Sequence, residues 1–168
     1  MEKPSDAELE ILLGRAVDWI KEQRTHHRPS SRPFRTLERQ ELDPFWEATI
    51  LDEIRVREVR RIEVPPEFAR FLSEGLIIGI TFIDTVLLTP FARVMGKSVP
   101  FHETVHVAQF EILGVEQFVA SYGRSLASGL TYEQNPLERQ ALDLTTRYSN
   151  NPGTPFNAYE AVKTALER

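Results

Sequence analysis

The sequence predicts an α+β fold, mostly helical, with a small sheet beside one buried helix. Three observations lead there. Several segments carry apolar residues at helical spacing, and one stretch near the middle is rich in Ile, Leu, Val, Phe and Thr. The 168 residues are 41% hydrophobic and 27% charged, which is globular composition and enough chain to bury one core. A single domain over 1–168 is therefore expected, with an N-terminal helix and Pro/Ser/His loop in 1–40.

In chain order, Ser5 or Asp6 caps a first helix. Its apolar positions are Leu9, Leu12, Leu13, Ala16, Val17 and Ile20, and it ends near Arg24. Thr25 to Pro33 reads as a loop, and its adjacent His26 and His27 read as solvated. A short helix is expected over Leu42 to Leu51, starting at Asp43-Pro44. Ile54 to Val64 reads as a strand or a helix, and Pro65-Pro66 ends it in either case. Leu76 to Thr89 is the best strand region, one strand or two around Asp84. Helices follow: Pro100 to Leu113 with Gly114 as the stop, Val115 to Leu126 stopped by Gly129, Asn135-Pro136 to about Tyr148, and Asn157 to Leu166.

Composition also bounds function. The formal net charge is -5 and the pI about 5.5, so nothing suggests neutralisation of a phosphate backbone, and nucleic-acid binding is not expected. Cysteine is absent, which excludes disulfides, Cys nucleophiles and iron–sulfur clusters. No apolar run approaches the ~20 residues of a membrane span. The polar, acidic first residues lack the basic start and apolar stretch of a secretory signal, so a cytoplasmic location is expected.

The chemistry sits in His102-Glu103-Thr104-Val105-His106, an H-E-x-x-H pattern. Residues four apart on a helix share a face, so two imidazoles can reach one zinc ion. Glu103 is placed to take a proton from a water on that zinc. The helix is apolar nearly all round and should be buried, and two inward His and a Glu then need partners. The metzincin pattern H-E-x-x-H-x-x-G-x-x-H is excluded, because Gln109 stands at its Gly and Ile112 at its third His. A carboxylate from a later element is expected instead, among Glu111, Glu116, Glu133, Glu138 and Asp143. Glu111 lies on the outer stripe of the same helix, and Glu116 follows too soon after Gly114. Glu138 comes far enough on for the chain to return. It also falls at N3 behind Asn135 and Pro136, where it would complete a capping box. Both roles remain open from the spacing.

The run Phe101 to Phe110, then Leu113-Gly114, then Asn135-Pro136-Leu137-Glu138, resembles small bacterial gluzincin-type zinc-metallopeptidase domains. Gly79 to Leu88 resembles the strand region before the active-site helix there. The resemblance spans roughly residues 75–143, within a metal-site core of 75–148. It implies a zincin-like fold and zinc held by His102, His106 and Glu138. It also implies a hydrolase, a peptidase acting on peptide or protein substrates with Glu103 as general base. Leu142 stands where larger gluzincins place an Asp, and Asp143 follows one residue later. Tyr122, Tyr132 and Tyr148 are the phenols near the motif. Tyr132, in the loop before the Glu138 helix, is the expected oxyanion donor. The alternative is a zinc-stabilised scaffold or interaction domain without catalysis.

Overall fold

The computed structural model describes residues 4–69 and 77–167. Leu76, the first residue of the expected strand region, and Gly75, the first of the span that carries the resemblance, lie outside them. Among the described residues, eight α-helices and three strands run in the order α1 (Asp6–His27), α2 (Thr36–Leu42), α3 (Ala48–Glu53), β1 (Arg55–Glu58), α4 (Pro66–Ala69), β2 (Gly79–Phe82), β3 (Thr85–Leu88), α5 (Pro90–Met95), α6 (Ser98–Ala127), α7 (Pro136–Asn150) and α8 (Ala158–Leu166). This is the α+β, mostly helical architecture read from the sequence.

Ser5 caps α1: its side chain accepts from the Glu8 amide while Glu8 reaches back to the Ser5 amide. The helix continues to His27, three residues past the expected end at Arg24, and a 3-10 turn at Arg28–Ser30 replaces most of the expected loop. Residues 25–27 contain no helix breaker, and Pro29 sits where a new turn can begin. His26 is exposed. His27 accepts a hydrogen bond from Arg57 (2.9 Å). The expected helix over Leu42 to Leu51 is instead α2 and α3, with a turn at Asp43-Pro44 between them. Asp43 still closes the last turn of α2 on the Arg39 carbonyl, but Pro44 has no N–H with which to continue it, so the dipeptide separates two helices instead of starting one.

The sheet order is β1-β3-β2. β3 is buried along its whole length, parallel to β1 and antiparallel to β2. The two-residue turn between β2 and β3 places Ile83 at φ 64, an unfavourable value for a β-branched residue. Asp84 in that turn is clamped from α1 and the 3-10 turn that follows it. Arg24 donates twice to its carboxylate (2.9 and 2.7 Å), and Arg28 pairs with it at 2.9 Å. Burial pushes the Asp84 pKa up, but the two guanidiniums outweigh it and hold the carboxyl below its ordinary value.

α6 divides the interior. On one side lies an aromatic cluster in which Phe101 stacks on Tyr148 (4.3 Å between centroids) and meets Phe45 and Trp46 at tilted or edge-on angles. On the other, Phe110 and Phe118 stack at 3.8 Å among Leu13, Ile20, Phe82 and Leu137. The helix breaks at Gly114 (φ 74, ψ 163), a backbone region essentially restricted to glycine. The stop expected at Gly114 is therefore present, but the chain resumes helix at once. In a straight helix His106 and Tyr122 would have Cα atoms ~24 Å apart. Here their side chains meet on one carboxylate, so the chain doubles back at the break.

Candidate metal centre

Three side chains converge where the first half of α6 faces the start of α7. His102 Nε2 and His106 Nε2 are 3.1 Å apart, and each lies 3.4 Å from Glu138 Oε2. Among the described residues this is the one group of three His, Asp or Glu ligand atoms close enough to share a metal ion. Helical spacing supplies the two imidazoles, as the motif implies. The Gly114 break and α7 supply the carboxylate.

The capping-box reading of Glu138 fails. Asn135 caps α7 alone, its side chain accepting from the Leu137 amide at 3.1 Å. The Asn135 amide already donates to Thr131 and Tyr132 carbonyls, so it has no need of a carboxylate. Glu138 turns inward instead. Its Oε1 accepts from the Tyr122 hydroxyl at 2.9 Å. Its Oε2 is buried without a hydrogen-bond partner. A buried, unpartnered carboxylate oxygen is costly, and a cation between it and the two Nε2 atoms satisfies it. The donor set of two imidazoles and one carboxylate fits zinc.

The electrostatics follow from that crowding. Burial pushes the His106 pKa down, but the Glu138 charge, with Glu103 behind it, outweighs burial and pushes it up to about 9. Burial pushes Glu138 up, while the charge of His106 and both imidazole contacts hold it well below the usual carboxylate range.

Gln109 orients the site, and sequence reasoning missed it. It is fully buried. Its Nε2 donates to the Leu137 carbonyl (2.9 Å) and to Gln140 Oε1 (2.8 Å), which fixes the amide's direction. Its Oε1 then accepts from His106 Nδ1 at 2.8 Å, leaving Nε2 to face Glu138. Its signal in the sequence is its helical spacing, three residues after His106 and so on the same side of the helix.

Glu103 is buried next to the ligands, against β2. The Thr81 hydroxyl lies 2.7 Å from its Oε2. Gly79 offers the carboxylate a bare backbone. Tyr132 is half-buried and lines the same cavity. Burial and the Glu138 charge raise its pKa, so the phenol remains a donor at any ordinary pH. Tyr122 is raised for the same reasons, but its hydroxyl is committed to Glu138. Tyr148 belongs to the aromatic core and not to the site. Glu111, Glu116, Glu133 and Asp143 are exposed. Glu111 accepts from Tyr159 and Glu116 pairs with Lys21, away from the centre.

The centre opens onto a cavity of about 380 Å³ bounded by α1, β2, α6 and α7. No family model, curated protein or solved structure matches the chain. Among the described residues, no helix is long and apolar enough to cross a membrane.

Proposed function

We propose that the chain is a zinc-dependent hydrolase, a peptidase or amide hydrolase, with zinc held by His102, His106 and Glu138. The observation that carries this reading is the buried, unpartnered Glu138 Oε2 facing two imidazole nitrogens at the wall of an open cavity. The resemblance of these residues to gluzincin-type domains supports it further.

Zinc bound there would lower the pKa of a water toward ~7 and polarise the scissile carbonyl. Glu103 takes the proton from the attacking water and delivers it to the leaving amine. Thr81 and Gly79 hold the Glu103 carboxylate in place for that transfer. Tyr132, a neutral phenol on the cavity wall, donates to the oxyanion as it develops. Gln109 and Tyr122 orient the ligands His106 and Glu138 and touch no reacting atom.

The test has two stages. Protein purified without a metal-binding tag and supplemented with zinc should hold about one ion per chain, and His102→Ala should abolish retention. A peptide library should then be cleaved in a chelator-sensitive way. Glu103→Gln should retain zinc while losing ~10²–10⁴-fold in turnover. Metal-free wild type overturns the site. Equal cleavage by Glu103→Gln overturns the mechanism. A zinc-loaded protein that cleaves nothing favours the scaffold.

A further inference from the structure

The cavity beside the centre is far more apolar than a metal site requires. Away from the ligands its described wall is built from Leu9, Leu13 and Trp19 of α1, Phe68 of α4, and Ile80 and Phe82 of β2. Trp19 stands edge-on to Phe82 (5.2 Å) and tilted to Phe68 (5.4 Å), is half-buried, and lines the cavity. An apolar void costs stability in proportion to its volume. A dry cavity of ~150 Å³ already accepts a benzene ring, and ligand pockets begin near ~300 Å³.

The wall is also held in place. A Cβ on Gly123 would stand 2.4 Å from Leu13 Cδ2, so the glycine lets α1 lie directly against the second half of α6. At its other end α1 is tied to the β2–β3 turn through Arg24, Arg28 and Asp84. A helix held against α6 at Leu13 and against the sheet at its C-terminal end serves as a wall and not as a filler.

We infer that α1 forms the specificity pocket of this site, and that the pocket takes a bulky aliphatic or aromatic side chain of a peptide substrate next to the bond at the metal. The inference rests on the zinc hydrolase reading and deepens it. The cavity reaches from His102, Glu103 and His106 to the aliphatic and aromatic side chains of α1 and β2, a lining that suits a branched or aromatic side chain.

The experiment measures binding, so it needs no turnover. N-acetylated glycine, leucine and phenylalanine hydroxamates, with octanohydroxamate as the acyl-chain control, are titrated into zinc-loaded protein by calorimetry. Tryptophan emission, compared with that of Trp19→Phe to subtract Trp46, follows pocket occupancy. Burying a Leu or Phe side chain should tighten binding about 10- to 100-fold over glycine. Ala16→Phe, which projects a ring from α1 into the cavity, should collapse that ratio. Leu9→Asp, at a half-buried position, should lower it without threatening the fold. Equal affinities for the three amino-acid hydroxamates, or a ratio unchanged by both variants, overturn the inference alone. Octanohydroxamate binding tightest of all overturns the side chain in favour of an acyl chain. Absence of zinc-dependent binding by every hydroxamate overturns the metal reading beneath it.

Discussion

Glu103 Oε1 lies 2.6 Å from the point where a Cβ on Gly79 would stand. The proposed base and the missing side chain therefore occupy the same space. Gly79 is on β2, an edge strand of the sheet, and Thr81 two residues on points to the same face. Strand and helix together fix the carboxylate between a bare backbone and a hydroxyl.

Gly79→Ala forces that carboxylate to move. Its φ is not in the left-handed region, so backbone strain plays no part. Zinc content should be unchanged, while turnover should fall toward that of Glu103→Gln, up to ~10²–10⁴-fold. Parallel zinc analysis and rate measurement check this; full activity in Gly79→Ala would show that Glu103 has room elsewhere.

Gln109→Leu removes the acceptor for His106 Nδ1 and the donor to the Leu137 carbonyl. Loss of such an orienting contact typically costs ~10–100-fold in metal affinity. The unpaired carbonyl adds ~1–3 kcal/mol of instability. Competition with a chromophoric chelator reads the first effect and thermal unfolding of the metal-free protein the second.

Glu138→Ala and Asn135→Ala should separate cleanly. The first removes a ligand and should abolish tight zinc binding. The second removes a cap bonded to the Leu137 amide and to the Tyr122 carbonyl, costing ~1 kcal/mol or more of stability. Zinc binding unaffected by Glu138→Ala would require a different third ligand.

Zinc uptake should expel a proton. In the metal-free protein His106 titrates at about 9, above its unfolded value of 6.5. Its contribution to metal-free stability is thus fully present below 6.5 and fades as pH rises through 9. At pH 7–8 zinc must displace that proton, so calorimetry in buffers of different ionisation enthalpy should report about one proton released per ion from His106. Release absent at pH 7 and 8 would mean His106 is already neutral there.

The legible part of the site was the part that helical periodicity alone determines. His102, Glu103 and His106 are neighbours by spacing, and their burial follows from the apolar wheel around them. Glu138 was legible as one of two roles; the choice required seeing that Asn135 already spends its amide on the preceding turn. Gly79, Thr81 and Tyr122 were not legible as partners, because they reach the site only through strand–helix packing and the reversal at Gly114. The same limit hid α1. Its amphipathic spacing says that one face is covered, but not that part of the cover is empty space. Asp43-Pro44 has the composition of a helix start, but in the structure it separates α2 from α3, a distinction that rests on where the preceding helix ends.

The bend at Gly114 also divides the molecule in time. It gathers His102, His106, Tyr122 and Glu138 from a single stretch of 37 consecutive positions. The Leu13–Gly123 approach, by contrast, joins points 110 positions apart. Contacts of low sequence separation close with little loop entropy and form early, whereas distant ones wait for the rest of the chain. A refolding chain should capture its ion before the α1 wall arrives, so metal would be in place to select and retain the bent conformation onto which the remainder condenses.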